Sequence, residues 1–186
     1  MSDLVKIAKI EISNSNKLCV IAGLNVLEDD QLTFEVAERL KKITEAQGNS
    51  FIFKASFDKA NRSSVDSYRG PGLEKGLEIF RELKKSDYQL ITDIHEISQV
   101  EQISEVVDII QIPAFLCRQT DLIKEACQSR KPLNIKKGQF LSPDQMKNVI
   151  EKCSNFGNDQ IMLCDCLLYT SPSPRDLSTS RMPSSA

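Results

Sequence analysis

From residue 18 to residue 164 the chain repeats one pattern, a short apolar run followed by a longer stretch with apolar residues at helical spacing. The apolar runs fall at 18–23, 51–54, 89–93, 108–112, 133–136 and 161–164. Runs of this kind, without apolar–polar alternation, suit strands buried on both faces. The intervening stretches, 31–47, 73–85, 98–106, 120–128 and 142–154, carry the 3.6-residue period of amphipathic helices, as in Phe34, Ala37, Leu40 and in Leu77, Phe80, Leu83. Ser142-Pro143 supplies an N-cap and a first-turn proline for the last of them. Alternating strands and helices predict an α/β fold with a parallel sheet and right-handed crossovers.

Two parallel architectures start this way, and the polar residues discriminate between them. Each strand ends in chemistry: Asn25, Lys54, Asp93 with His95, Gln111 and Lys136. In a (β/α)₈ barrel all strand ends converge on one mouth, whereas a doubly wound sheet concentrates ligand groups at one switch point, usually behind a glycine-rich turn. The first turn, Gly23-Leu-Asn-Val-Leu-Glu28, lacks that fingerprint. The expectation is a TIM barrel. Val5, Ile7, Ile10 and Ile12 alternate with polar residues, and Asn14-Ser-Asn16 reads as a turn, so an N-terminal hairpin is expected between 5–12 and 18–23.

A complete barrel typically needs about 250 residues, and six strands are counted. After Asp165 the sequence turns rich in Ser, Thr and Pro with no periodicity. Residues 1–165 are therefore read as an incomplete TIM-barrel domain, and 166–186 as a disordered, foreign-looking tail.

Residues 53–64, Phe-Lys-Ala-Ser-Phe-Asp-Lys-Ala-Asn-Arg-Ser-Ser, stand out. Lys54, Lys59 and Arg62 sit close to a strand end with Ser56, Asn61, Ser63 and Ser64, and with one acid, Asp58. Lysine point charges and an arginine fork suit phosphate and polyol oxygens. Gly70-Pro71-Gly72 then leads into a helix whose free N–H groups favour anions. A basic, solvated surface loop is the plainer alternative, but such loops usually mix charge signs.

A net charge of -2 gives no electrostatic case for nucleic acid or an anionic membrane. No apolar run approaches a membrane span, and Asp3 and Lys6 interrupt any signal-like start, so a cytoplasmic protein is expected. Cys19, Cys117, Cys127 and Cys153 lack metal-ligand spacing and read as free thiols, and the close pair Cys164 and Cys166 reads as chance beside a single His.

Several long collinear runs together resemble one family. They are residues 53–64, Tyr68-Arg-Gly-Pro-Gly72, Ile91-Thr-Asp-Ile-His-Glu96, Asp-Ile-Ile-Gln-Ile-Pro-Ala-Phe-Leu-Cys-Arg-Gln-Thr-Asp-Leu at 108–122, Asn134-Ile-Lys-Lys-Gly-Gln-Phe140 and Ile161-Met-Leu-Cys-Asp165. From residue 5 to residue 165 the chain resembles the 3-deoxy-D-manno-octulosonate 8-phosphate synthases, transferases that condense phosphoenolpyruvate with arabinose 5-phosphate in lipopolysaccharide biosynthesis. The resemblance implies a (β/α)₈ barrel closed below by a hairpin. It implies a phosphoenolpyruvate set of Lys54, Ser56, Lys59, Gln111, Pro113, Ala114 and Lys136. It implies a pentose-phosphate set of Asn61, Arg62, Ser63 and Asp93, with Arg118 reaching a neighbouring subunit's sugar phosphate in a homotetramer. Lys54, Lys59, Asn25, His95 and Lys136 are the catalytic candidates. His95 fits the family's Asp-x-His-Glu run, and equally a histidine satisfied inside the barrel mouth.

Metal-dependent members of that family carry a cysteine after the first strand. Asn25 stands there, which implies the metal-independent type with no cofactor. The chain departs from the pattern at Cys166, where the family has a phosphate-gripping arginine, and it lacks counterparts to the seventh- and eighth-strand groups. The competing expectations are an incomplete barrel that binds anions without turnover, and the related synthase that uses erythrose 4-phosphate. The Lys-Ala-Asn-Arg-Ser-Ser run favours the pentose phosphate.

Overall fold

A computed structural model describes residues 4–165. The 166–186 segment and Cys166 lie outside the described residues. The first two strands, β1 (Val5–Ile7) and β2 (Ile10–Ile12), form an antiparallel hairpin. There follow β3 (Cys19–Gly23), α1 (Asp30–Ala46), β4 (Ser50–Lys54), α2 (Leu73–Lys85), β5 (Leu90–Asp93), α3 (Val100–Ser104), β6 (Ile109–Ile112), α4 (Thr120–Gln128), β7 (Leu133–Lys136), α5 (Met146–Asn155) and β8 (Ile161–Cys164).

β3 to β8 form one parallel sheet in sequential order. A doubly wound sheet reverses its strand order at a switch point, and this sheet has no reversal. Its two faces also differ. Phe53, Leu90, Ile110, Leu133 and Ile135 join Leu77, Phe80, Leu83, Ile123 and Val149 of the helices in the larger core. The alternate residues Ile52, Ile91 and Ile109, with Ile21 and Met162, pack instead against Val5, Ile7, Ile10 and Ile12 of the hairpin. Helices on one face and a hairpin plug on the other are the layering of a barrel wall, so the chain builds an incomplete TIM barrel.

The hairpin differs from the expected one. β1 pairs with β2 across a turn in which Ala8 has φ 49°, while 18–23 belongs to the parallel sheet, where β3 pairs with β4 in register from Cys19↔Ser50 to Gly23↔Lys54. Burial decides the matter: β3 is the edge strand of the sheet, yet β1 does not add to that edge but packs Val5 and Ile7 onto the inner face against Ile52, Ile91 and Ile109. The hairpin is tied across the sheet, because Lys6 N–H donates to Gln160 Oε1 (2.9 Å) and Gln160 Nε2 donates to the Leu4 carbonyl (3.2 Å).

Helix starts are chemically specified. The Asp29 carboxylate accepts from Leu32 N–H at 2.8 Å, capping α1. Ser142 and Gln145 form a reciprocal capping box, but the chain runs through a 3₁₀ turn (Pro143–Gln145) before α5 begins. The expected helix at 98–106 likewise opens as a 3₁₀ turn (Ile97–Gln99). The described cysteines are all free, with Cys117, Cys127 and Cys153 buried. Among the described residues no helix is long and apolar enough to cross a membrane.

Candidate active site

Period-2 alternation places Lys54, Asp93, Gln111, Asn134 and Lys136 on the same face as Ile52, Ile91 and Ile109, one step further along each strand. The inner face is therefore apolar where the hairpin plugs it and polar at the carboxyl ends of the strands. Register sets these side chains side by side: Asp93 is paired with Gln111, and Gln111 with Asn134. Close approach of the first two parallel strands needs a glycine at position 23, where a Cβ would lie 2.0 Å from the Lys54 carbonyl oxygen.

Electrostatically the site is a group of cations around one buried carboxylate. Lys59 Nζ donates to Ser56 Oγ at 2.8 Å and lies 4.0 Å from Asp93 Oδ2. Lys54 Nζ reaches the same hydroxyl at 3.5 Å. His95 Nε2 is 3.4 Å from Asp93 Oδ2, and the ring stands edge-on to Phe57 with centroids 5.5 Å apart. Burial pushes both the Lys54 and the Lys59 ammonium below the ordinary lysine value; Asp93 opposes the shift and Lys136 adds to it, so all three lysines share one field. Burial would by itself raise the Asp93 carboxyl, but contact with His95 and the charges of Lys54 and Lys59 hold it well below the usual carboxylate range. Asp93 Oδ1 and His95 Nδ1 are buried without a hydrogen-bond partner.

The loop after β4 carries Ser56 and Lys59 into this group. Asp58, the acid next to Lys59 in sequence, is held by the Arg69 fork (Nε to Oδ1, 2.8 Å), so it does not compensate the lysines. Tyr68 Oη donates to the Leu27 carbonyl at 3.0 Å, tying the loop to the one after β3, and Arg62 Nε donates to the Tyr68 carbonyl at 3.2 Å. Gly70 passes so close to Phe57 that a Cβ would fall 2.3 Å from its carbonyl oxygen. Arg62 is exposed, and its charge acts on Lys59.

The structure thus gathers Lys54, Ser56, Lys59, Asp93, His95, Gln111 and Lys136. Pro113 and Ala114 are half-buried at the turn after β6. Asn25, Asn61 and Ser63 are exposed on loops at the same end of the sheet. Arg118 is exposed just before α4, its carbonyl accepting from Lys152 Nζ at 3.4 Å. Among the described residues no hydrogen bond joins the side chains of Asn25, Asn61, Ser63 or Arg118 to the lysine group. Asn134 was missed in the sequence because a neutral amide within a strand carries no charge signal; its position between Gln111 and Lys136 is a product of register. Lys137 was missed too: it is buried, with its Nζ 3.3 Å from both the Leu141 carbonyl and Asp165 Oδ1.

Preorganised ammonium groups in a largely dehydrated recess stabilise phosphate and carboxylate oxygens far more than they would in water. Among the described residues no three His, Cys, Asp or Glu side chains gather as a metal would require.

Comparison with known proteins agrees with this geometry. Residues 3–179 match the model of the DAHP synthetase I family. The chain is similar to the 2-dehydro-3-deoxyphosphooctonate aldolases of Haemophilus influenzae strain PittEE and Bdellovibrio bacteriovorus, at 52% identity over 163 residues in each case. It is 51% identical over 162 residues to that of Hahella chejuensis. These alignments cover 87% of this chain and 57–58% of the relatives, so the chain spans a little over half the length of the proteins it matches. With a parallel sheet in sequential order and lysines converging at its carboxyl edge, the match over most of the length establishes that the chain belongs to the DAHP synthetase I family.

Proposed function

We propose that this site binds phosphoenolpyruvate and arabinose 5-phosphate and serves their condensation, with water, to 3-deoxy-D-manno-octulosonate 8-phosphate and phosphate. The observation that carries the proposal is that Lys54, Lys59 and Lys136 share one field at the carboxyl end of the inner face, with Asp93 beside Lys54 and Lys59. The printed name of the relatives, an aldolase of a deoxyphosphooctonate, supports the eight-carbon sugar acid.

In this mechanism Lys54, Lys59 and Lys136 hold the carboxylate and phosphate of phosphoenolpyruvate, with Ser56, Gln111, Pro113 and Ala114 along its edge. Asn61, Arg62 and Ser63 hold the pentose phosphate, and Arg118 serves a neighbouring subunit's sugar in a homotetramer. The enol carbon attacks the sugar aldehyde to form the new C–C bond. Water adds to C2, and the C–O bond to phosphate breaks as the C2 carbonyl forms. Asp93 and His95, each with one unpartnered buried atom, face the aldehyde end and steady its hydroxyls. Proximity and fixed positive charge supply the catalysis.

The reaction is assigned to the metal-independent type, because Asn25 offers a neutral amide where a thiolate would be the better soft-metal ligand. The net charge of -2 favours neither nucleic acid nor an anionic membrane as a partner, and free thiols fit a reducing cytoplasm.

Phosphate release from phosphoenolpyruvate, followed with each sugar in turn, tests the reading. Release with arabinose 5-phosphate, persisting in a chelator, is expected. Equal release with erythrose 4-phosphate overturns the pentose assignment, and loss of release in chelator overturns metal independence. Binding of phosphoenolpyruvate without release would identify a binding site that does not complete the reaction.

A further inference from the structure

Inner-face residues nearer the hairpin are apolar, so a buried amide at position 134 needs a reason. Asn134 lies in register with Gln111 on one side and Met162 on the other, one inward position before Lys136 on the same strand. Both amides are buried, at 7% exposure for Asn134 and 5% for Gln111. Asn134 Nδ2 donates to Gln111 Oε1 at 3.3 Å. A side-chain amide presents an acceptor and a two-proton donor on opposite branches of one planar group. With its oxygen engaged by Asn134, Gln111 must turn its NH₂ branch elsewhere. The same inner face carries the lysines assigned to an anionic substrate, and only a donor suits an anion.

We infer that Asn134 is a positioning residue that fixes the Gln111 amide with its NH₂ group toward the bound phosphoenolpyruvate. The inference rests on the substrate reading given above. A buried amide pair kept for packing alone would also hydrogen-bond, but it would be indifferent to which branch faces the recess. The positioning role is not indifferent, and the two roles separate on that point.

Asn134→Asp tests it. The carboxylate only accepts, so Gln111 must turn its NH₂ branch toward residue 134 and present its oxygen to the substrate. Calorimetric titration of the chain with phosphoenolpyruvate is expected to show about 10–100-fold weaker binding, the scale of a lost hydrogen bond to a charged group. In a Gln111→Ala background the uncharged change Asn134→Val, which adds no repulsion toward the anion, is expected to alter affinity less than about twofold, since the coupled pair no longer exists. Asn134→Val removes the donor without reversing it, suits a strand, and provides a second arm if the Asp variant does not fold; it is expected to weaken binding several-fold. Wild-type affinity in either variant, or an equal loss with Gln111 absent, overturns the positioning role while leaving the substrate reading intact. No binding by the unsubstituted chain overturns both.

Discussion

Lys59 Nζ lies 4.0 Å from Asp93 Oδ2, with the two side chains only 15% and 7% exposed. The separation is too long for a hydrogen bond yet close enough to hold the carboxylate ionised. Asp93 therefore acts as an internal counter-ion for Lys54 and Lys59, and under the proposed function an incoming anion would take over part of that duty. The site is charged before its ligand arrives.

Asp93→Asn should lower stability at neutral pH by roughly 1–3 kcal/mol, as a buried carboxylate is removed from two lysines and a histidine. The folded carboxyl titrates below its unfolded value of about 3.9. Its contribution is therefore fully present above pH 4 or so and is lost as pH falls toward the folded value. Urea melts across this range should show the variant losing less stability on acidification than the parent. Parallel curves would contradict the assignment.

Burial holds Lys54 and Lys59 below the ordinary lysine value. Binding an anion favours their charged forms, so binding at alkaline pH should take up protons, and affinity for phosphoenolpyruvate should fall with rising pH below the ordinary lysine value of about 10.4. Titration in two buffers of different ionisation enthalpy reads the proton count directly. No proton uptake up to that value would count against the shift.

Arg69→Ala should release Asp58 to face the lysines. A few-fold loss of phosphoenolpyruvate affinity is expected, with little change in the thermal midpoint, because the Arg69 side chain is largely solvated. Unaltered affinity in the variant would show that Asp58 is already solvated away from the site.

The strand ends were legible in the sequence because charge at the close of an apolar run is a strong local signal: Lys54, Asp93, Gln111 and Lys136 all fell where expected. Asn134 was not, since its meaning comes from parallel register with Gln111, a relation between strands 23 positions apart. The pairing of Asp58 with Arg69 was hidden for the same reason, as it forms only when the loop closes on itself. The hairpin was misplaced because Asn14-Ser-Asn16 reads as a stronger turn than Ala8-Lys9, whereas burial of Val5 and Ile7 against Ile52, Ile91 and Ile109 decides the pairing.

Gly23→Ala should be costly although the residue is exposed, because the new methyl carbon would meet the Lys54 carbonyl oxygen at 2.0 Å. Overpacking of this kind costs about 1–3 kcal/mol. Loss of β3–β4 pairing should appear as faster amide exchange at Leu24, whose N–H donates to that carbonyl at 2.9 Å. Exchange as slow as in the parent would refute it.

The central claim is that the lysines of the inner face hold the anionic substrate, and amine labelling resolved to single peptides tests it most directly. Phosphoenolpyruvate should protect Lys59 and Lys136 from a small amine-reactive reagent and leave Lys147, exposed on α5, labelled as before. Equal labelling of all three lysines with and without phosphoenolpyruvate would contradict the account.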